Sequence, residues 1–231
     1  MFLSATQVAL LLVAWGVYAA VHSLLASLAV KRHVARHWQG AGRAYRVVYN
    51  ILATLLLIPP LWLTFAYNGP LLWRWSGAWG WLADMLALSA IAAFMWTSRH
   101  YDMASFTGLA QWRESSPAPE DVGQLSFSPL HRYVRHPWYF LALVILWTRD
   151  MDVARLISTL CITIYLWVGS LLEERKLLLL HGATYARYRE RVNGLVPLPG
   201  KVLSKTEAQR LGGSALGAAG AAPLRKPGGG V

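Results

Sequence analysis

Two charged clusters stand beside long apolar runs, and their side chains are of the types that bind a small zwitterion. The segment 135–139, Arg-His-Pro-Trp-Tyr, opens one apolar run, and the segment 173–176, Glu-Glu-Arg-Lys, follows another. A carboxylate holds an ammonium group, an arginine holds a carboxylate, and aromatic rings suit a cationic centre. The two clusters therefore predict a cleft for a small zwitterionic cofactor with a cationic centre.

Two apolar segments, 137–148 and 153–172, must bring these clusters together. The connector between them, 149–152, is so short that the two helices are expected to run antiparallel, which places both clusters on one side of a membrane. Pro137 suits the first turn of the first helix, and the N–H groups after it can hold an anion. Composition alone leaves open that the clusters are only interfacial anchors of the helices.

Composition places the chain among membrane proteins. Of its 231 residues 55% are hydrophobic and 14% are charged, whereas a soluble domain carries about 25% charged residues. Long apolar runs recur along the chain and predict an all-α integral membrane bundle of about five transmembrane helices. These runs cover 6–30, 47–67, 81–98, 137–148 and 153–172.

The basic residues predict the orientation of the bundle. The net charge is +11, and the positive residues lie between apolar segments rather than on one face of a soluble domain, which argues against a nucleic-acid partner. With five spans, 19 of the 22 Lys and Arg residues fall on one side, in 31–46, 99–136 and the segment from 173 onward. The positive-inside rule then predicts an outside N-terminus, a cytoplasmic C-terminus and a cytoplasmic cofactor site.

The order of motifs around the clusters resembles the isoprenylcysteine carboxyl methyltransferase superfamily. The resemblance covers about residues 120–199 and is specific as an ordered set. It implies a membrane methyltransferase with S-adenosylmethionine as methyl donor. The matching elements are Arg135-His136-Pro137-x-Tyr139, Glu173-Glu174-x-x-Leu177, Gly182, Tyr185-x-x-Tyr188 and Pro197.

The resemblance also implies which residues contact the donor and which assist the reaction. Because a thiol acceptor must lose a proton, His131, His136 or His100 could assist, and the sequence does not choose among them. The catalytic candidates are His131, His136 and Arg135. The cofactor-binding candidates are Leu125, His131, Arg135, His136, Pro137, Trp138, Tyr139, Glu173 and Glu174, with the segment 123–126 around the first of them.

Two departures from the superfamily pattern bear on the acceptor. The superfamily usually has Gly-x-Tyr ahead of Arg-His-Pro, whereas this chain has Pro129 and His131 there. Prenylcysteine enzymes carry an arginine four residues before the first glutamate, suited to a substrate carboxylate, and this chain has Gly169. The second departure argues against a prenylcysteine acceptor.

The N-terminal half resembles bacterial methanethiol S-methyltransferases and NnrU-like membrane proteins. The features that carry this looser resemblance are His22-Ser23 in the first span, Tyr45 after the basic loop, and His100-Tyr101-Asp102 after the third span. A metal site built from His100, Asp102, His131 and His136 would be the other chemical option. These residues form no closed set of metal ligands, and Cys161, as the only cysteine, adds no second thiol, so no metal is expected.

The sequence thus predicts a methyltransferase that uses S-adenosylmethionine and a small thiol or amphiphilic acceptor, in the bacterial inner membrane. Prenylcysteine carboxyl or lipid methylation is one alternative, and a non-enzymatic NnrU-like accessory protein is another. The expected organisation is three membrane helices in 1–100, a methyltransferase core in 101–202 and a disordered tail in 203–231.

Local signals also predict where the helices bend and end. The basic segment 31–46 is expected to be a loop, and Pro59-Pro60 to kink or break the second apolar run. A polar helical segment after residue 172 is expected to be interrupted at Gly182 and to stop at Asn193-Gly194.

Overall fold

The computed structural model is almost entirely helical, which confirms the all-α prediction. It describes residues 2–38, 41–67, 69–114, 128–208 and 210–211. The helices are α1 (Ala5–Ala26), α2 (Leu28–His37), α3 (Ala41–Ala66), α4 (Gly77–Ser98), α5 (Met103–Thr107), α6 (Leu109–Glu114), a 3₁₀ turn (Pro129–Arg132), α7 (Pro137–Trp147) and α8 (Val153–Arg191).

Within the described ranges, four helices are long and apolar enough to cross a membrane. These are α1, α3 from Arg43, α4 and α8. The predicted fifth span corresponds to α7, which has only 11 residues and is shorter than the roughly 20 needed for a full crossing. The chain is therefore an integral membrane helix bundle, and the apolar helix α7 is a shorter addition to the four long ones.

Serine caps fix the N-terminal helices. Ser4 and Gln7 form a capping box at the start of α1, each side chain bonding the other residue's backbone N–H. Ser27 ends α1 with extended backbone and its side chain accepts from Val30 N, which starts α2. The basic segment 31–46, expected as a loop, is thus largely helical.

The prolines Pro59 and Pro60 do not break α3. A proline was expected to kink or end the helix because it lacks the N–H that bonds the carbonyl four residues earlier. The helix instead continues from Ala41 to Ala66. Thr64 follows one turn later, and its hydroxyl donates to the Pro60 carbonyl at 2.7 Å.

A short strand pair joins two connectors. β1 (Leu71–Trp73) pairs antiparallel with β2 (Met151–Asp152), in the register Leu71 opposite Asp152 and Trp73 opposite Met151. The backbone groups of these connectors satisfy each other, as buried or interfacial N–H and C=O groups require. The hydropathy pattern gave no indication of this pairing.

The chain forms two compact units, and each unit combines segments that are distant in the sequence. The predicted domains were instead consecutive stretches, 1–100, 101–202 and 203–231. Unit 1 contains the described residues up to 114 together with 138–169. Its core includes Leu11 and Trp15 of α1 and Ala154 of α8. The Trp15 indole N–H donates to Ser158 Oγ at 2.9 Å.

Unit 2 contains residues 128–137 and the described residues from 170 onward. Its core consists of Tyr185, Tyr188, Val192 and Leu203. Within α8, Gly182 has φ +48° and ψ −125°, so the helix is interrupted at the predicted glycine. The helix ends at Arg191, directly before the Asn-Gly pair at 193–194 predicted to stop it.

The first residues of the expected tail are packed rather than disordered. Leu203 is only 2% exposed, and its backbone N–H donates to the Arg132 carbonyl at 3.0 Å. Ser204 and Glu207 form a capping box for a helical turn over 205–208. The packed part of unit 2 therefore extends past 203, and residues 212–231 lie outside the described residues.

Candidate functional site

Glu174 is the centre of a buried charged cluster in unit 2. One of its oxygens, Oε1, accepts from Arg135 Nε at 2.9 Å and from Arg135 Nη2 at 2.7 Å. The same oxygen lies 3.1 Å from His136 Nε2. The three side chains are between 5% and 11% exposed, so the carboxylate is held by two cationic partners away from solvent.

Arg135 also ties its own segment to the end of α8. Its Nη1 donates to the carbonyls of Arg189 and Val192, which have no further turn of helix to bond them. The backbone N–H of Arg135 donates to the Asn193 carbonyl at 2.9 Å, and that of His136 donates to the Gly194 carbonyl at 3.1 Å. Four of the five guanidinium N–H groups are therefore used inside unit 2.

Gly194 permits this close approach. A side chain there would begin 3.3 Å from Arg135 Nη2 and 3.6 Å from Glu174 Oε1, so it would press on the buried pair. From the sequence, Gly194 was expected only to stop the helix. Its neighbourhood could not be predicted because it depends on where segment 134–136 meets the end of α8.

Glu173 differs from its neighbour in exposure. Its side chain is 50% exposed, and its Oε2 lies 3.5 Å from His136 Nδ1. Adjacent residues on a helix point about 100° apart, so only one of the two carboxylates can turn into the unit. His136 therefore stands between a buried carboxylate on Nε2 and an accessible one on Nδ1.

The pKa values of His136 and His131 are shifted in opposite directions. Burial alone lowers the pKa of His136, but the hydrogen bonds and negative charges of Glu173 and Glu174 outweigh it and raise the pKa above its usual value. Burial, with the charge of His136 nearby, lowers the pKa of His131 to about 4. His131 is thus neutral at neutral pH, while His136 favours its charged form.

His131 is held by the turn in which it lies. Its Nδ1 accepts from the Ser128 backbone N–H at 3.0 Å and lies 2.9 Å from Ser128 Oγ. Its carbonyl accepts from the Tyr188 hydroxyl at 2.7 Å. Because Nδ1 is an acceptor here, the neutral ring carries its proton on Nε2.

The remaining predicted contacts belong to different parts of the chain. Pro137 begins α7, as predicted. Trp138 and Tyr139 follow it in α7 and belong to unit 1. Leu125 and the surrounding segment 123–126 lie outside the described residues.

Trp138 is packed in an aromatic cluster of unit 1. Its indole N–H donates to Thr97 Oγ1 at 3.0 Å. Its ring centroid lies 4.7 Å from that of Tyr101, 4.8 Å from Phe94 and 5.6 Å from Phe106. These contacts fix the first turn of α7 against the end of α4 and the segment after it.

The other chemical candidates after α4 have structural roles in unit 1. The Asp102 carboxylate accepts from the N–H groups of Ala104 and Ser105, which caps α5. A hydrogen bond from the Ser105 side chain, together with these backbone N–H groups, holds the pKa of Asp102 below its ordinary value. The His100 ring packs edge-on against Trp96, with 5.4 Å between the ring centroids.

Sequence comparison finds relatives of the chain. Methanethiol S-methyltransferase 2 of Bradyrhizobium diazoefficiens is 34% identical over 185 residues, which cover 78% of this chain and 69% of the relative. The methanethiol S-methyltransferase of Pseudomonas sp. (strain GM41(2012)) is 29% identical over 191 residues, with the same shares. That of Crocosphaera subtropica is 42% identical over 72 residues, 31% of this chain and 28% of the relative. No protein-family model and no solved structure matches the chain.

Proposed function

Because the chain belongs to the methanethiol S-methyltransferase family, we propose that it transfers a methyl group from S-adenosylmethionine to a small thiol in the membrane. The relative from Bradyrhizobium is named for the thiol that it methylates, and this chain aligns with it over 78% of its length. The observation that best supports a donor site is the difference in exposure between two adjacent glutamates: Glu173 is half exposed, whereas Glu174 is buried.

The site in unit 2 fits one part of the donor well. S-adenosylmethionine has an ammonium group, and Glu173 offers it an accessible carboxylate beside His136. Glu174 and Arg135 neutralise each other, so they hold the His136 imidazole in place rather than bind the donor themselves. This revises the role first expected for Arg135, whose donors are used by Glu174 and two backbone carbonyls.

The chemistry needs a bound donor and an ionised acceptor. When bound, S-adenosylmethionine supplies a methyl group on a sulfonium centre, which a thiolate takes in line. The charges of thiolate and sulfonium cancel as the new bond forms, so a site with little water favours the transfer. Trp138 and Tyr139 remain proposed donor contacts of unit 1, suited by their rings to a cationic centre.

The expected environment follows from the membrane helices. We place the donor site on the cytoplasmic side of a bacterial inner membrane, with the N-terminus outside, because the positive residues cluster on that side. Gly169, in place of the arginine of prenylcysteine enzymes, favours a thiol over a prenylcysteine carboxylate.

A labelled-methyl assay tests the proposal. The purified full chain, in detergent or lipid nanodiscs, is given labelled S-adenosylmethionine with either methanethiol or a farnesylated cysteine analogue at equal concentration. We expect labelled dimethyl sulfide and little labelled methyl ester. A clear preference for the prenylated acid would assign the chain to the other acceptor class. No donor binding by calorimetry would instead support a non-enzymatic membrane protein.

A further inference from the structure

His22 lies at the centre of a hydrogen-bonded cluster inside unit 1 that the donor site does not use. Its Nδ1 is 2.6 Å from the Tyr165 hydroxyl of α8, and its Nε2 is 2.8 Å from the Tyr49 hydroxyl of α3. The Tyr165 hydroxyl is also 3.3 Å from Ser23 Oγ. One imidazole thus joins three membrane helices through both of its ring nitrogens.

One arrangement of protons satisfies all four groups. The Tyr49 hydroxyl donates to Nε2 of a neutral His22, Nδ1–H donates to the Tyr165 oxygen, and the Tyr165 hydroxyl donates to Ser23 Oγ. The hydrogen bonds then run in one direction from Tyr49 to Ser23. Such a chain can take up a proton at its first member and release one at its last.

The surroundings of His22 favour a chemical role. The ring is half buried, and it contacts the ring of Tyr18 with 5.4 Å between centroids. Ionisable groups inside membrane helices are costly and commonly mark proton or substrate pathways. Both ring nitrogens meet tyrosine hydroxyls, which can accept one proton and pass on another, rather than backbone carbonyls, which can only accept.

We infer that His22, reached through the Tyr49 hydroxyl, accepts the proton of the acceptor thiol, an inference that rests on the proposed methyl transfer to a thiol. The thiol gives its proton to the Tyr49 oxygen while Tyr49 gives its own proton to His22 Nε2. This leaves a thiolate and an imidazolium. The thiolate sulfur then forms a bond to the methyl carbon as the bond from that carbon to the donor sulfonium breaks.

The proton leaves by the other side of the ring. Nδ1 passes its proton to the Tyr165 oxygen as the Tyr165 hydroxyl proton moves toward Ser23 and on to water. His22 is then neutral with its proton on Nε2, and exchange of ring protons with water, which returns the proton to Nδ1, restores the starting arrangement. The overall balance is one thiol and one sulfonium donor giving one thioether, one neutral donor product and one proton.

Comparing two acceptors of equal size separates proton removal from every other step. Methanethiol is largely protonated at neutral pH, whereas methaneselenol is largely ionised and needs no base. For His22→Asn we expect kcat with methanethiol to fall about 100-fold or more, the usual contribution of a positioned base. With methaneselenol kcat should fall less than about threefold, and the S-adenosylmethionine Kd should not change.

Single hydroxyl deletions keep the test valid if His22→Asn fails to fold. Tyr49→Phe and Tyr165→Phe each retain the ring and should lower methanethiol turnover far more than methaneselenol turnover. Tyr45→Phe is the matched control, since Tyr45 lies one turn before Tyr49 on α3 and its hydroxyl donates to the Leu25 carbonyl at 2.5 Å. It should leave the ratio of the two rates unchanged.

Two results would overturn the inference. Equal losses with both acceptors in the Tyr49 and Tyr165 variants would mean that the cluster only ties the helices together. Wild-type turnover of methanethiol by His22→Asn would mean that the proton leaves elsewhere. Failure of the proposed function is distinct, because the wild-type chain would then bind no donor or methylate neither acceptor.

Discussion

Arg135 donates two hydrogen bonds to one carboxylate oxygen of Glu174, from Nε at 2.9 Å and from Nη2 at 2.7 Å, and both side chains are buried. Arg135 precedes α7 and Glu174 lies 39 residues later in α8, so the pair joins two segments of unit 2 that are distant in the chain. A buried pair of this kind costs desolvation to form. Removing one member therefore leaves the other charge uncompensated.

Glu174→Gln is expected to destabilise the protein by about 3–5 kcal/mol, the scale for breaking a buried ion pair from one side. The substitution keeps the shape of the side chain but leaves the Arg135 guanidinium without its counter-charge. Chemical unfolding in detergent measures the loss. Glu173→Gln is the matched control, because its half-exposed side chain should contribute less than about 1 kcal/mol. Equal stability losses in the two variants would contradict the assignment.

Glu173→Gln is expected to weaken S-adenosylmethionine binding about tenfold, which corresponds to about 1.4 kcal/mol. The reason is the loss of a charge-assisted hydrogen bond to the donor ammonium, from a carboxylate that water partly screens before binding. Isothermal calorimetry on the purified variant gives the Kd. Unchanged affinity would remove Glu173 from the donor site and leave it as an interfacial residue.

The stability of the protein should be greatest near pH 6.5 and fall on both sides. The pKa of His136 is raised in the folded state, so its contribution is complete below its ordinary pKa of 6.5 and is lost as the pH rises through the raised value. The pKa of His131 is lowered to about 4, so its contribution is complete above 6.5 and is lost as the pH falls toward 4.

Melting temperatures measured from about pH 4 to pH 8 in wild type and two variants separate these contributions. His131→Gln should flatten mainly the acid side of the profile, and His136→Gln mainly the alkaline side. His136→Gln should also change the acid side slightly, because the charge of His136 helps to lower the pKa of His131. A variant that shifts the whole curve without changing its shape would assign the pH dependence to other groups.

Shortening the chain should be harmless after residue 211 and damaging after Lys201. The chain that ends at Lys201 loses Leu203, whose side chain is buried beside Tyr185 and Tyr188. It also loses the hydrogen bonds between the Leu203 backbone and Arg132. Leu203→Ala in the full chain should cost about 2–4 kcal/mol, as other buried leucines do. Thermal unfolding of the three forms is the measurement. A chain ending at 201 that is as stable as wild type would show that this packing contributes nothing.

Cysteine labelling tests the orientation. In a Cys161→Ser background, Arg36→Cys on α2 should react only after the cytoplasmic side is opened to a membrane-impermeant maleimide. Arg74→Cys, next to β1, should react in intact cells. The prediction follows from the unequal division of Lys and Arg between the two sides. The reverse labelling pattern would invert the bundle and move the donor site outside.

Much of the architecture could be predicted because it follows from local patterns. Apolar runs indicated the helices α1, α3, α4 and α8. Gly182 and the pair at 193–194 marked the interruption and the end of α8, since glycine and asparagine have the backbone freedom that such points need. The pairing of β1 with β2 could not be predicted in this way, because five residues in two distant connectors carry no periodicity.

The sequence by itself determined that charged clusters would flank a short helical hairpin, since hydropathy and a four-residue connector leave few other arrangements. Only the tertiary structure decided which carboxylate is buried, because Glu173 and Glu174 have identical chemistry and differ in the direction they leave α8. It also decided that Arg135 binds within unit 2. Its partners at Arg189 and Val192 become neighbours only when the end of α8 meets segment 134–136.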